Sequence, residues 1–142
     1  MAFSEPKPGL VINYSFLWPH EADRGQDEGI KDRPCAIIVA TEKEDGDRDI
    51  LVVPITHTEP DPSRGAIALP PATMSRLGLG NDPSWIITDS LNRFVWPGPD
   101  IRPLRTGDIA YGTLPKALTV QVREAVIAHS QAHTKHTVER EE

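Results

Sequence analysis

The sequence predicts a mostly β fold of the α+β class, a small and partly open β-barrel closed on one side by a C-terminal helix. Three observations lead to this prediction. Short apolar runs of strand length follow one another through most of the chain. The 14 Pro residues fall between these runs, where they end strands and set turns. One stretch near the C-terminus lacks Gly and Pro and carries apolar residues at helical spacing.

The first three predicted strands lie in the N-terminal half of the chain. Residues 10–16, 36–40 and 50–55 are rich in β-branched and other apolar side chains. An acidic segment joins the second of these strands to the third. Its Asp-Gly step at 45–46 tolerates the positive φ that a tight turn requires. We therefore expect the second and third strands to form a hairpin.

The remaining predicted elements are shorter, except for the last. Further strands are predicted at 66–69, 85–88 and 93–95, with one helical turn at 72–77. The C-terminal helix is predicted from Lys116 to about Ala132. Residues from Lys135 onward are polar, and we expect them to be frayed.

The length and charge of the chain limit its organisation and partners. A chain of 142 residues suits one domain, to which we assign residues 1–136, with 137–142 as a polar tail. The formal charge of −6 opposes a polyanionic partner, because Lys and Arg supply most of the affinity for phosphates. However, the first 49 residues hold 11 acids and 6 bases, and these account for nearly all the excess. A local basic groove elsewhere is compatible with this distribution.

The cysteine content and hydropathy predict a cytoplasmic protein. Cys35 is the single cysteine and lies in an apolar run, which is typical of a buried side chain in a reducing compartment. A catalytic thiol is the alternative. Residues 1–9 hold two Pro and two charges in place of an apolar leader segment. No stretch approaches the roughly 20 apolar residues of a membrane span, so no membrane partner is expected.

Arg33 and Thr56 are the leading candidates for a site. Arg33 precedes the second predicted strand, and Thr56 ends the third. Arginine stays charged and binds phosphate through two parallel hydrogen bonds, while a threonine hydroxyl can donate to a non-bridging oxygen. Together they could hold a phosphodiester. The alternative is that Arg33 is a solvated residue and that Thr56 only ends a strand.

Other titratable residues could complete such a site. Glu28 and Lys31 share the charged loop before Arg33, His57 follows Thr56, and Asp89 and Arg93 follow a later strand. Burial could bring a carboxyl or an imidazole into the range needed for acid–base work. The alternatives are a solvated loop, a histidine that bonds a loop, and a surface ion pair worth about 0–1 kcal/mol.

The tryptophans and three clustered histidines are further candidates for a binding surface or a metal site. Trp18 and Trp96, each followed by Pro, could line a groove or a dimer face, and Trp85 is expected in the core. His129, His133 and His136 have the spacing of one helix face, which can chelate a metal. No carboxylate or cysteine pattern completes that site, so we expect no metal and no other cofactor.

Taken in order, these segments resemble the PemK/MazF family of toxin–antitoxin ribonucleases over about residues 9–130. The segment 28–34 reads as the family's E-x-x-x-x-R-P loop, and 52–56 reads as its V-x-P-I-T segment. The segment 86–89 resembles the strand that enters the D-Q-x-R-T element, and 109–126 resembles the family's I-G-x-L segment and final helix.

The resemblance implies a homodimer of SH3-like barrels that cleaves single-stranded RNA, such as mRNA, without a metal. It also implies neutralisation by an acidic antitoxin and gives no reason to expect DNA as a partner. The family's catalytic Arg and Thr correspond to Arg33 and Thr56. Asp89 and, one position later than in the family, Arg93 correspond to the Asp and Arg of D-Q-x-R-T. The resulting catalytic residues are Arg33, Thr56, Asp89 and His57, and the RNA-binding residues are Glu28, Lys31, Arg93 and Trp18.

Two other functions can be set beside this one. CcdB-type proteins share the barrel and poison DNA gyrase, but they end in a tripeptide with Trp, whereas this chain ends in Glu-Arg-Glu-Glu. A gyrase poison is therefore not expected. The alternative from a different class is a catalytically silent PemK/MazF-like module that binds another protein.

Overall fold

The structure is a computed structural model of the 142-residue chain, and it describes residues 5–23, 31–132 and 136–140. Within these ranges the chain forms eight strands and three α-helices. The strands are β1 Leu10–Tyr14, β2 Arg33–Glu42, β3 Arg48–Thr56, β4 Ile67–Ala68, β5 Trp85–Ile86, β6 Ser90–Trp96, β7 Ala110–Thr113 and β8 His136–Glu139. The helices are α1 Pro19–Asp23, α2 Pro71–Leu77 and α3 Lys116–Gln131.

The strands form one curled, half-barrel sheet. Its main path runs β4, β5, β3, β2, β1 and β7, with antiparallel pairing throughout. Strand β6 pairs antiparallel with β3, and β8 adds to β6 in parallel. The pairing register shifts within β1 and within β2, and such bulges bend a sheet. The predicted mostly β fold with a C-terminal helix is thereby confirmed at this level.

Both faces of the sheet are buried, which explains why its strands read as continuous apolar runs. Along β2, Ala36 and Ile38 contribute to one apolar cluster, and Cys35 and Ile37 contribute to the other. This alternation is what the pleat of a strand imposes. The first cluster is covered by α3, whose Leu118, Val122 and Val126 are buried at helical spacing. Among the described residues, no helix is long and apolar enough to cross a membrane.

Several local predictions are confirmed. The β2–β3 hairpin turns at Gly46, whose φ of 88° is strained for a side chain with a Cβ. Helix α2 ends at Gly78, which has the left-handed conformation typical of a helix end. Helix α3 begins at Lys116, as predicted, and ends within one residue of the predicted boundary.

The prediction of a polar, frayed C-terminal segment is wrong for residues 136–140. Residues 136–139 form β8, which pairs with β6 from Ser90 to Arg93. Arg140 is 7% exposed, and its guanidinium donates to Ser15 O at 2.7 Å and to Asn92 Oδ1 at 2.8 Å. The segment was mistaken for a tail because its own side chains are mostly exposed and show no apolar pattern. Helix α1 and strand β7 were also not predicted.

Candidate functional site

A groove runs along one rim of the sheet and consists of two adjoining hollows. The first has a volume of about 390 Å³ and the second about 380 Å³. Trp18, His20 and Arg64 line both, so the two hollows are halves of one groove. The first half is completed by Lys31, Arg33, Thr56, Thr58, Glu59, Pro60, Asp61 and Ile87. The second half is completed by Pro19, Asp89, Ser90 and His136.

The sheet itself brings Arg33 and Thr56 into the first half of the groove. Strands β2 and β3 are antiparallel, with Cys35 opposite Pro54. Because the two strands run in opposite directions, the start of β2 lies beside the end of β3, at the end of the hairpin that is far from its turn. The structure thus places together the two residues that the sequence singled out.

Arg33 is held in the groove by an aromatic ring rather than by a carboxylate. Its guanidinium carbon lies 5.1 Å from the centroid of the Trp18 indole, within cation–π range. Its Nε is buried and has no hydrogen-bond partner among the described residues. In the same part of the chain, Arg33 forms no ion pair. An unpaired, partly buried guanidinium is suited to bind an anion.

The Thr56 hydroxyl is oriented by the backbone that follows it. Its Oγ1 accepts a hydrogen bond from the Thr58 amide at 3.1 Å. A hydroxyl has one hydrogen and two lone pairs, so this contact leaves the hydrogen available to a ligand. Thr56 therefore contributes a donor on the same wall of the groove as Arg33.

Arg64 and Asp89 form the strongest polar contact of the groove. The Arg64 Nη2 lies 2.6 Å from Asp89 Oδ1, and Nε lies 3.1 Å from Oδ2. Nη2 also donates to Ser90 Oγ at 2.8 Å. The Arg64 guanidinium carbon lies 5.5 Å from the centroid of the Trp18 ring, which also contacts the Arg33 guanidinium. The Trp18 indole thus makes cation–π contacts with two guanidinium groups.

This pairing governs the charge of Asp89. Burial raises the pKa of the carboxyl, but the hydrogen bonds and the positive charge of Arg64, with the Ser90 hydroxyl, outweigh that effect. The net result is a pKa below the ordinary value for aspartate. Asp89 is therefore an ionised carboxylate that fixes Arg64, and its low pKa does not suit a general base at neutral pH.

The structure separates other predicted site residues from the groove. The His57 ring points toward the loop before β5, where Nδ1 lies 2.8 Å from Ser84 Oγ. Arg93 donates to Asp49 Oδ2 at 2.7 Å and also pairs with Glu139. Neither His57 nor Arg93 is among the described residues that line the groove. Lys31 lines the groove and is exposed. Glu28 lies outside the described residues.

His129 and His136, two of the three histidines predicted to share a helix face, lie in different elements. Helix α3 ends at Gln131, and His136 lies in β8. His133 lies outside the described residues. Within the described ranges, no group of three or more His, Cys, Asp or Glu side chains is arranged to hold a metal ion.

The groove residues that the sequence did not single out include His20, Glu59 and Arg64. Arg64 lies in a short 3-10 turn between β3 and β4, and His20 lies in α1, so neither belongs to a segment with a recognisable pattern. The sequence held one usable signal, because Arg64 is the single Lys or Arg in the stretch 57–75.

The Trp18 ring lines the groove, which is one of the two positions predicted for it. It lies near the Arg33 and Arg64 guanidinium groups, and its plane is within 21° of the His20 ring plane. The ring thus organises the polar groups of the groove as well as forming part of its surface. Comparison with known proteins finds no matching family model, no matching curated protein and no matching solved structure.

Proposed function

We propose that the groove binds single-stranded RNA and cleaves its phosphodiester backbone without a metal ion. The observation that carries this proposal is the pairing of Arg33 and Thr56 in one hollow, with Arg33 lacking a carboxylate partner among the described residues. An unpaired arginine beside a hydroxyl donor is what a phosphate needs for binding through two side chains. The resemblance to the PemK/MazF family points to the same two residues.

In the proposed reaction, the ribose 2′-hydroxyl attacks the adjacent phosphorus. A new O–P bond forms, the bond from phosphorus to the 5′-oxygen breaks, and the products are a 2′,3′-cyclic phosphate and a 5′-hydroxyl. Arg33 stabilises the negative charge that grows on the non-bridging oxygens, and Thr56 donates to one of them. Removing one such donor typically lowers the rate by about 10²–10³.

The reaction also requires one group that accepts the 2′-hydroxyl proton and one that protonates the leaving oxygen. His20 and Glu59 line the first half of the groove and belong to residue types that can exchange protons. Asp89 is ion-paired with Arg64, and in this scheme it positions the Arg64 guanidinium. We therefore assign proton transfer to His20 and Glu59 in place of the predicted His57 and Asp89.

The assembly and cellular role are proposed from the family resemblance. By that resemblance the protein is a cytoplasmic growth inhibitor, works as a homodimer and is neutralised by a cognate antitoxin. Sedimentation at micromolar concentration tests the assembly, and a strictly monomeric species would count against the homodimer.

A catalytically silent protein-binding module is the second candidate. It is favoured by the two carboxylates that line the first half of the groove, Glu59 and Asp61. Such carboxylates would repel a phosphate backbone and would attract a basic segment of a partner protein.

Induction of the protein in bacteria separates the two candidates. We expect the wild-type chain to arrest growth and to fragment cellular RNA, and Arg33→Ala to do neither. Arg105→Ala is a matched control, because Arg105 is exposed and does not line either half of the groove. Equal growth of all three cultures, with intact RNA, would reject the ribonuclease and favour the binding module.

A further inference from the structure

We infer that the second half of the groove is a nucleobase pocket that selects guanine next to the cleaved phosphate. This inference rests on the proposed function, because it assumes that single-stranded RNA occupies the groove. It adds a specificity site centred on Arg64, a residue to which neither the motifs nor the catalytic scheme assigns a contact with RNA. Its residues are Trp18, His20, Arg64, Asp89 and Ser90.

The shape of this half suits a planar ring. Trp18 and His20 are nearly parallel, with ring planes within 21° and centroids 6.4 Å apart. A volume of about 380 Å³ accommodates one base with room for its sugar. Proteins that read single-stranded RNA commonly stack unpaired bases on aromatic side chains and on arginine planes, and this half of the groove provides both.

The polar groups of the pocket supply a donor and an acceptor side by side. Arg64 uses Nε and Nη2 to bind Asp89 and Ser90, and its Nη1 donates no hydrogen bond within the described residues. Asp89 Oδ2 accepts from Arg64 Nε alone in that part of the chain. A carboxylate oxygen has two lone pairs, so Oδ2 can accept one further hydrogen bond.

Guanine is the base that these groups match best. It carries carbonyl and ring-nitrogen acceptors for an arginine, which is the commonest specific partner of guanine, and N–H groups for a carboxylate. The Arg64 side chain is 32% exposed and that of Asp89 is 16% exposed, so both can be reached from the groove. Because each guanidinium hydrogen bond to Asp89 restricts Arg64, the donor is oriented before the base binds.

The test uses strands that cannot be cleaved, so that binding is measured apart from catalysis. Fluorescein-labelled 2′-O-methyl pentanucleotides UUXUU, with X as each of the four bases, are titrated with the protein and followed by anisotropy. We expect the wild type to bind the strand with X = G about 5- to 150-fold more tightly than the others, the range of one good two-bond contact to a base, made here by the Arg64 donor together with the Asp89 acceptor.

Two classes of variant then separate base contacts from phosphate contacts. Arg64→Lys keeps the positive charge and lacks the planar fork, so it should remove the preference for G and leave affinity for the other strands within about threefold. Arg64→Ala should also remove the preference for G, and it should weaken all four strands because it leaves the Asp89 carboxylate without this cation in the groove. Arg33→Ala should weaken all four strands by a similar factor. Thermal unfolding of each variant shows that it is folded at the temperature of the titration, and Arg105→Ala controls for loss of charge.

Three results would overturn the inference. These are equal affinity of the wild type for all four strands, a preference for another base, and a preference for G that survives in Arg64→Ala. The proposed ribonuclease fails separately, if RNA is not cut. Cleavage at every base would support the ribonuclease and reject the guanine pocket. Selective binding of G without cleavage would support the pocket and reject the ribonuclease.

Discussion

Arg64 Nη2 lies 2.6 Å from Asp89 Oδ1 and joins the turn after β3 to the start of β6 across the groove. Ser90 and the Trp18 ring contact the same guanidinium. The contact fixes the one arginine common to both halves of the groove. It also lowers the pKa of the Asp89 carboxyl, which makes the carboxylate a weak base and changes its expected role from proton transfer to positioning.

The stability of the protein should depend on pH through Asp89. Its folded-state pKa is lowered, so the stabilisation is present above the unfolded pKa of about 3.9 and is lost as the pH falls through the folded value. The free energy of unfolding, measured in urea between pH 7 and pH 3, should therefore fall below about pH 5. This fall should be shallower in Asp89→Asn. Equal pH dependence of the two proteins would contradict the ion pair.

Thr56 should act through its hydroxyl and not through its methyl group. Thr56→Val keeps the shape and removes the donor, so cleavage should fall by about 10²–10³. Thr56→Ser keeps the donor and should retain activity within about tenfold of the wild type. The measurement is the initial rate of RNA cleavage at saturating substrate, and a fully active Thr56→Val would remove Thr56 from the mechanism.

The buried end of β8 should contribute strongly to stability. The Arg140 guanidinium lies 2.9 Å from Asp100 Oδ2 and donates to Asn92, and both partners are buried. Arg140→Ala should cost about 3–5 kcal/mol in urea unfolding, because it removes the nearer of the two cations that pair with the buried Asp100 carboxylate and leaves the 4.0 Å contact with Arg102. Glu139→Ala is the matched control, since its ion pair with Arg93 is exposed and worth about 0–1 kcal/mol. Similar losses in the two variants would show that Arg140 is not an anchor.

The apolar cluster beneath α3 should be sensitive to loss of volume. Leu91 is fully buried in that cluster, whereas Ile127, on α3, is 48% exposed. Leu91→Ala should lower the free energy of unfolding by about 2–5 kcal/mol. Ile127→Ala should stay within about 0.5–1 kcal/mol. A small effect at Leu91 would mean that the sheet does not pack as described.

Those parts of the fold that depend on local pattern were predictable from the sequence. The apolar runs predicted β1, β2 and β3, and the Asp-Gly step predicted the hairpin turn. Once β2 and β3 form a hairpin, antiparallel geometry alone brings Arg33 and Thr56 to the same end. The leading pair of the candidate site therefore followed from two strands and one turn.

The remaining features depend on contacts between distant segments. Strand β8 forms because Arg140 is buried against Asn92, 48 residues away in the chain, and its own side chains carry no strand pattern. Arg64 reaches Asp89 across 25 residues of chain. His57 was a candidate because it follows Thr56, and Arg93 was a candidate by resemblance, but His57 contacts Ser84 in the loop before β5 and Arg93 contacts Asp49 on β3.

The product chemistry of purified protein tests the central claim most directly. A single-stranded RNA is incubated with the wild type in excess EDTA, and the fragments are analysed by mass spectrometry. The proposed mechanism predicts fragments that end in 2′,3′-cyclic phosphate and begin with 5′-hydroxyl, and their absence with Arg33→Ala or with a 2′-O-methyl strand. Intact RNA, fragments that begin with a 5′-phosphate, or equal cleavage by Arg33→Ala would contradict it.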